Sequence, residues 1–176
     1  MNRQLCLVRH GPPERSDLCY GWTDVPLATA PEITAADLQP RLQGWPLQAK
    51  TPIVASPSLR CRHLATALAE GREVLLDDRL REVHFGTWEG QPWTDISRQA
   101  IDSWARDPFG FQFPQGESVP AFIERCRGAL QDLPEQALVI THAGVIRTFL
   151  HLCCQLPLAD AYARRVPFGS ARWISF

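Results

Sequence analysis

The chain has 176 residues, a length typical of one domain with a substantial core, and we expect a single domain over residues 1–176. Its formal net charge of −1 produces no strong field of either sign, which argues against nucleic acid and anionic membranes as partners. The sequence contains no apolar run as long as a membrane span and no apolar leader after Met1, so we expect a cytoplasmic protein.

Strand and helix patterns alternate along the chain. We predict strands over Gln4–Val8, Ile53–Ser56, Glu73–Leu76, Ala137–Thr141 and Arg172–Phe176. Helical periodicity lies between them, over Thr34–Gln43, Leu59–Glu70, Thr94–Ala105, Val119–Leu133 and Gly144–Gln155. This order predicts a three-layer α/β/α fold with a mostly parallel central sheet.

An aromatic-rich excursion at about residues 86–117 interrupts the alternation. It contains Trp88, Trp93, Trp104, Phe109, Phe111 and Phe113 together with three prolines. Such a segment could simply pack as core, but its density of aromatic rings favours a lid or an aromatic wall beside a substrate.

The first predicted strand ends in Arg9-His10-Gly11. An arginine offers a fixed cationic fork for phosphate or carboxylate, and a histidine can attack or shuttle protons near neutral pH. The second predicted strand leads into a helix whose first turn holds Arg60, where the helix dipole also attracts an anion. Since parallel strands end at one edge of a sheet, we expect these groups to lie together.

Two further segments add polar groups of the same kind. The fourth strand ends in His142-Ala143-Gly144, a second strand-to-histidine junction. Glu82 stands among apolar residues, a setting that suits a general acid; the alternative is a surface carboxylate paired with Arg79 or Arg81. His84 is interpreted as pocket lining or structural, and Glu89 as a turn or surface carboxylate.

Two arginines, two histidines and one carboxylic acid together predict a phosphate site that works without a metal. The sequence has no aspartate cluster for magnesium and no phosphate-binding G-x-x-x-x-G-K-[ST] loop, so we expect no metal and no cofactor. Zinc binding by His151 with Cys153 and Cys154, or by Cys61 with His63, is a weaker alternative because no second ligand pair matches. The residues alone leave open which histidine attacks.

With these residues in place, the chain resembles the histidine phosphatase superfamily, which includes the phosphoglycerate mutases. The resemblance rests on Arg9-His10-Gly11, Ser56-Pro-x-x-Arg60, Glu82 before Phe85-Gly-x-Trp-Glu-Gly90, and Thr141-His-Ala-Gly144. It implies that His10 becomes phosphorylated and that Arg9, Arg60, His142 and Ala143 surround the phosphoryl group. It also implies that Glu82 protonates the leaving alcohol and then activates water. Pro12, Pro13 and Glu14 depart from the Glu and Thr or Ser that many members carry after the glycine.

Within the superfamily the chain is similar to the α-ribazole phosphatases, which act late in cobalamin biosynthesis. The similarity rests on Cys19–Leu27, Trp88–Trp93 and Phe113–Ser118. It implies a phosphate ester with a benzimidazole base, and we expect substrate contacts from Tyr20, Gly21, Trp22, Trp88 and Trp93.

Three other activities stay open at this point. One is a broad phosphatase for sugar phosphates or nucleotides that uses the same residues. A phosphoglycerate mutase is less favoured because the chain is short for that group. A non-catalytic phosphate-binding module is disfavoured because His10 and Glu82 are both present. In each case the partner is a small phosphate ester, and the oligomeric state is not predicted.

Overall fold

The computed structural model describes residues 3–43 and 50–176. Its strands are β1 (Gln4–Arg9), β2 (Ile53–Ala55), β3 (Val74–Leu76), β4 (Gln136–Thr141) and β5 (Ala171–Ser175). Its α-helices are α1 (Pro31–Gln43), α2 (Leu59–Ala69), α3 (Arg98–Arg106), α4 (Val119–Asp132), α5 (Ala143–Cys154) and α6 (Leu158–Ala163). Short 3₁₀ turns cover Asp78–Leu80 and Gly86–Trp88.

The strands form one sheet in the order β3-β2-β4-β1-β5, in which only the edge strand β5 runs antiparallel to its neighbour. The prediction of a mostly parallel sheet is therefore confirmed. At its centre β1 pairs with β4 in a register that places Arg9 beside Thr141. His10 and His142 follow directly, so this register brings both histidines to the same edge of the sheet.

The side chains of each central strand alternate between the two faces of the sheet. Leu5 and Leu7 of β1 pack with residues of α4 and α5 in one apolar cluster, whereas Cys6 and Val8 pack with residues of α1 and α2 in another. Helices thus cover both faces, as the predicted three-layer architecture requires.

Helix caps and helix length account for how three of the helices compare with the prediction. Helix α3 begins at Arg98 rather than Thr94, because the Ser97 hydroxyl accepts a hydrogen bond from the N–H of Ala100 and caps the helix there. Ser118 caps α4 in the same way, its hydroxyl accepting from the N–H of Ala121. Helix α6 follows Pro157 and is too short to carry a clear periodic signal.

None of the helices in the described part of the chain combines the length and the apolar character that crossing a bilayer requires.

The aromatic-rich excursion builds a third apolar cluster over one end of the sheet. Trp88, 4% exposed, lies at its centre and packs edge-on against Phe113. Trp93 and Trp104 stack on each other with 13° between their planes. The excursion therefore has a core of its own, and that core supports a wall that faces the carboxyl ends of the strands.

Candidate active site

A cavity of about 310 Å³ opens at the carboxyl ends of β1 and β4. Its walls include all six of the predicted catalytic and phosphate-binding residues: Arg9, His10, Arg60, Glu82, His142 and Ala143. These groups come from four separate parts of the chain: the end of β1, the start of α2, the segment after β3, and the junction of β4 with α5.

His10 is held with one ring nitrogen free for chemistry. Its Nδ1 lies 2.7 Å from the carbonyl oxygen of Gly11, which can only accept, so Nδ1 carries the proton and Nε2 keeps its lone pair. Burial, with the positive charge of Arg60 beside the ring, lowers the pKa of His10 from its usual 6.5 to about 3. At neutral pH the ring is thus uncharged, with its Nε2 lone pair available.

His142 has both ring nitrogens engaged. Its Nδ1 lies 3.3 Å from Nη2 of Arg60, which can only donate, and its Nε2 lies 2.9 Å from Oγ of Ser56. Burial and the charge of Arg60 hold the pKa of His142 well below its usual value. The two histidines, with ring centroids 5.2 Å apart, are therefore not equivalent, and of the two only His10 keeps a lone pair without a partner in the part of the chain that the structure describes.

Arg9 and Arg60 bring positive charge into a largely buried setting. Arg60 is 1% exposed, and its guanidinium donates to the carbonyl oxygens of Gly21 at 2.5 Å and Thr23 at 3.0 Å. Arg9 donates to the carbonyl of Val166 and lies 3.5 Å from the centre of the Phe168 ring. In each residue Nε is buried and has no acceptor among the described residues. Arg60 is buried, with Oδ1 of Asp24 3.6 Å from its Nη1, and Arg9 is half-buried. Two such cations with unpaired Nε–H groups form a setting for a phosphoryl group.

Glu89 positions the loop that holds Arg60. Its carboxylate accepts hydrogen bonds from the backbone N–H groups of Gly21, Trp22, Thr23 and Phe85 at 3.0, 3.0, 2.9 and 3.0 Å. Although burial opposes ionisation, these four donors lower the pKa of Glu89. Glu89 lies in a turn, as one of the two interpretations had it, but it is half-buried rather than at the surface. It anchors the backbone on which the Arg60 guanidinium rests.

Glu82 lies against the start of α5 rather than at the surface. Its Oε2 accepts from the N–H of Gly144 at 2.9 Å, and a Cβ on residue 144 would lie only 2.1 Å from Oε1. Glycine at this position is therefore what allows the carboxylate to reach the helix N-terminus. The alternative of surface ion pairing is wrong, because Arg79 pairs with Asp77 and Asp132, and Arg81 pairs with Asp78.

A partly buried ion pair holds the backbone of the Glu82 segment. Arg125 of α4 binds Glu117 through two hydrogen bonds of 2.8 and 2.7 Å. The same guanidinium donates to the carbonyl oxygens of Arg79, Arg81 and Glu82. Three backbone anchors thus fix where the Glu82 side chain starts.

The expected substrate contacts divide into two groups. Tyr20 and Trp93 line the cavity. Gly21, Trp22 and Trp88 do not: Gly21 supports Arg60, Trp22 donates from its ring to the carbonyl of Glu82, and Trp88 is buried in the aromatic cluster. His84 packs edge-on against Trp22 and is also absent from the cavity wall, which fits its structural interpretation.

Several cavity residues escaped sequence reasoning. Phe168 precedes β5 in a loop and has no sequence signal that marks it, yet its ring contacts both Arg9 and His10. Arg147 also lines the cavity; its spacing of four from Ala143 places both on one face of α5 and could have revealed it. Ser16 lines the cavity too and offers a hydroxyl on the loop after Gly11.

The alternative zinc pairs are not assembled. Cys61 is buried with Sγ 3.5 Å from Nε2 of His142, whereas its proposed partner His63 is exposed. Nδ1 of His151 lies 2.6 Å from the carbonyl oxygen of Leu156. Within residues 3–43 and 50–176, no three His, Cys, Asp or Glu side chains cluster in a way that could hold a metal ion.

Comparison with known proteins agrees with this geometry. The sequence pattern of the histidine phosphatase superfamily (branch 1) matches residues 5–176, and the chain belongs to this superfamily. A proposed phosphoglycerate mutase, GpmB, from Serratia proteamaculans is 32% identical over 178 residues, which cover 92% of this chain and 78% of that protein. A proposed phosphoserine phosphatase from Hydrogenobacter thermophilus is 26% identical over 172 residues, covering 91% of this chain and 83% of the relative.

Among solved structures, the crystal structure of a proposed α-ribazole-5′-P phosphatase from Escherichia coli superposes with a TM-score of 0.86 at 24% identity. The match covers 98% of this chain and 90% of that one. This likeness shows that the two chains share a phosphoglycerate mutase-like fold.

Proposed function

We propose that the protein is a metal-independent phosphomonoesterase that works through a phosphohistidine on His10. The observation that carries this proposal is the contrast between the two buried histidines: His10 presents a free Nε2, and His142 presents none. Arg9 and Arg60 supply the positive charge that phosphoryl transfer needs.

In the first step Nε2 of His10 attacks phosphorus, and the bond between phosphorus and the ester oxygen breaks. Glu82, as the neutral acid, gives its proton to that oxygen, so a neutral alcohol leaves. The phosphorylated ring, protonated on Nδ1, gains positive charge, and the Gly11 carbonyl 2.7 Å away stabilises it.

In the second step the Glu82 carboxylate takes a proton from water, and the resulting nucleophile attacks phosphorus. The bond between phosphorus and Nε2 breaks, inorganic phosphate leaves, and both His10 and Glu82 return to their starting states. Glu82 lines the same cavity as His10 and can serve both steps from one position.

We propose α-ribazole 5′-phosphate as the substrate, in cobalamin biosynthesis. Its benzimidazole would suit Trp93 and Tyr20, which line the cavity, and a neighbouring fold from Escherichia coli bears that activity in its name. The second candidate is a broad phosphatase for sugar phosphates or nucleotides, since the phosphate-binding groups contact only what such esters share. The free state of all six cysteines fits the proposed cytoplasmic location.

The test of the reaction is phosphoenzyme trapping with a ³²P-labelled ester followed by a rapid quench. We expect acid-labile, base-stable label on the wild-type protein, no label on His10→Ala, and slower labelling on His142→Ala. His63→Ala, at an exposed position, is the matched control and should label like the wild type. Labelling that survives in His10→Ala but vanishes in His142→Ala would reverse the assignment of the nucleophile.

A further inference from the structure

A second, mostly apolar cavity of about 230 Å³ adjoins the phosphate cavity. We call it the apolar chamber. Rings and aliphatic groups from the aromatic-rich excursion and α4 form most of its wall: Trp93, Trp104, Phe109, Phe113, Val119 and Phe122. The hydroxyl of Tyr162, also in the wall, lies 2.9 Å from Oγ1 of Thr148, so this polar atom is already satisfied.

The two cavities meet at four residues that line both of them: Glu82, Phe85, Trp93 and Arg147. Glu82 is the important member of this set, because its carboxyl group must lie beside the ester oxygen that leaves. The phosphoryl group bonded to that oxygen must lie in the cavity with His10 and the arginines. The carbon group bonded to the same oxygen then faces the chamber.

From this arrangement we infer that the apolar chamber is the subsite for the leaving alcohol, and that it selects alcohols carrying an uncharged aromatic ring. The inference rests on the proposed phosphatase function and adds where the alcohol binds and which alcohols the site excludes. Edge and face contacts with Phe109 and the stacked pair Trp93 and Trp104 suit a flat ring, and burial of the ring supplies the affinity.

The chamber also disfavours the charged alcohols of related enzymes. Phosphoglycerate carries a carboxylate and phosphoserine carries both a carboxylate and an ammonium group next to the leaving oxygen. Beyond Glu82 and Arg147 at its entrance, the described wall has no ionised side chain to pair with such groups. An ion placed in the chamber would lose hydration without compensation.

The experiment compares esters whose leaving alcohols differ in ring content but not in charge or substitution at the reacting carbon. We expect kcat/KM for 2-(1-naphthyl)ethyl phosphate to exceed that for ethyl phosphate by about tenfold to hundredfold, as burial of one large ring allows. Phosphoserine should react no faster than ethyl phosphate. Equal rates for the naphthyl and ethyl esters would overturn the chamber assignment while leaving the phosphatase proposal intact.

Two phenylalanines of the same segment provide matched variants. Phe109 lines the chamber, whereas Phe111 packs against Trp88 and Phe113 outside it. Phe109→Ala should lose most of the preference for the naphthyl ester with little change on ethyl phosphate. Phe111→Ala, compared at equal folded fraction by circular dichroism, should keep the preference; loss of preference in both variants would contradict a specific role for the chamber.

Direct binding separates this inference from the reaction. We expect 2-(1-naphthyl)ethanol, the product without phosphate, to quench tryptophan fluorescence saturably, because Trp93 and Trp104 line the chamber. Phe109→Ala should weaken that binding at least fivefold and Phe111→Ala should not. Saturable binding with no turnover of any ester would refute the phosphatase proposal but support the chamber, whereas no binding would refute the chamber whatever the turnover.

Discussion

The hydrogen-bond partners of His10 and His142 distinguish the two rings and underlie the proposed choice of nucleophile. A carbonyl oxygen accepts from one ring, and a guanidinium donates to the other. The sequence could supply two histidines at two strand ends, but the partner of each ring nitrogen depends on the loop after β1 and on Arg60, which are separate in the chain. This is why the sequence could bring the candidate site residues together, whereas its choice of His10 as the nucleophile rested only on a family resemblance.

The Glu82→Gln variant tests the acid role at the level of one atom. The amide keeps the shape of the side chain but cannot give up a proton, so esters of poor leaving groups should slow by about 10²–10⁴-fold. Aryl esters such as p-nitrophenyl phosphate leave without protonation, and their rate of enzyme phosphorylation should fall much less. The check is single-turnover kinetics on both kinds of ester; equal losses would argue against proton donation by Glu82.

At the scale of elements, the Arg125–Glu117 pair links α4 to the segment that carries Glu82. Both side chains are mostly buried, at 17% and 15% exposure, and the guanidinium also satisfies three backbone carbonyls. Nothing in the local sequence pattern indicates this link, because the two residues and their carbonyl partners come from three segments. Five of the six described helices were predictable from their periodicity, α6 being too short to show one, whereas contacts of this kind were not predictable.

Arg125→Met should therefore destabilise the protein by about 3–5 kcal/mol, since it leaves a buried carboxylate and several carbonyls without partners. We also expect kcat on poor leaving groups to fall more than KM rises, because Glu82 loses its backbone anchors. Urea unfolding and steady-state kinetics measure the two effects.

The control for this prediction is on the same helix. Arg127 pairs with Glu124 at the surface, with side-chain exposures of 45% and 68%. Arg127→Met should cost less than about 1 kcal/mol, as exposed pairs do, and leave kcat unchanged. Similar losses in the two variants would mean that α4 tolerates neither change and that the buried pair has no special role.

At the scale of the whole molecule, the buried histidines link stability to pH. The folded protein holds the pKa of His10 at about 3, whereas the unfolded chain has the usual value near 6.5. Between these values the unfolded state binds a proton that the folded state does not, so the free energy of unfolding decreases as pH falls. His142 acts in the same direction.

We expect His10→Gln to remove about 1 kcal/mol per pH unit from the pH dependence of unfolding between pH 6 and pH 4. Carboxylates contribute to the slope in both proteins and cancel in the comparison. Urea titrations at pH 7, 6, 5 and 4 provide the measurement, with His63→Gln as the exposed control. An unchanged slope in His10→Gln would show that the ring is not held neutral by its surroundings.

The order of the strands in the sheet could not be predicted from the sequence, although the strands themselves and their mostly parallel arrangement could. The apolar runs of β1 and β4 predict that both strands are buried, but no local sequence pattern indicates which strands pair with each other. That β5 closes one edge antiparallel depends on how the chain returns after α6.

This strand order also governs when the site can exist. Both neighbours of β1 come from the far end of the chain, β4 at Gln136–Thr141 and β5 at Ala171–Ser175. During synthesis Arg9 and His10 are made before either neighbouring strand, so β1 has no partner until β4 and β5 have followed. Assembly of the sheet relies on contacts between residues distant in sequence, which form slowly. A chain that lacks β4 and β5 therefore carries His10, the proposed nucleophile, without the residues that surround it in the fold.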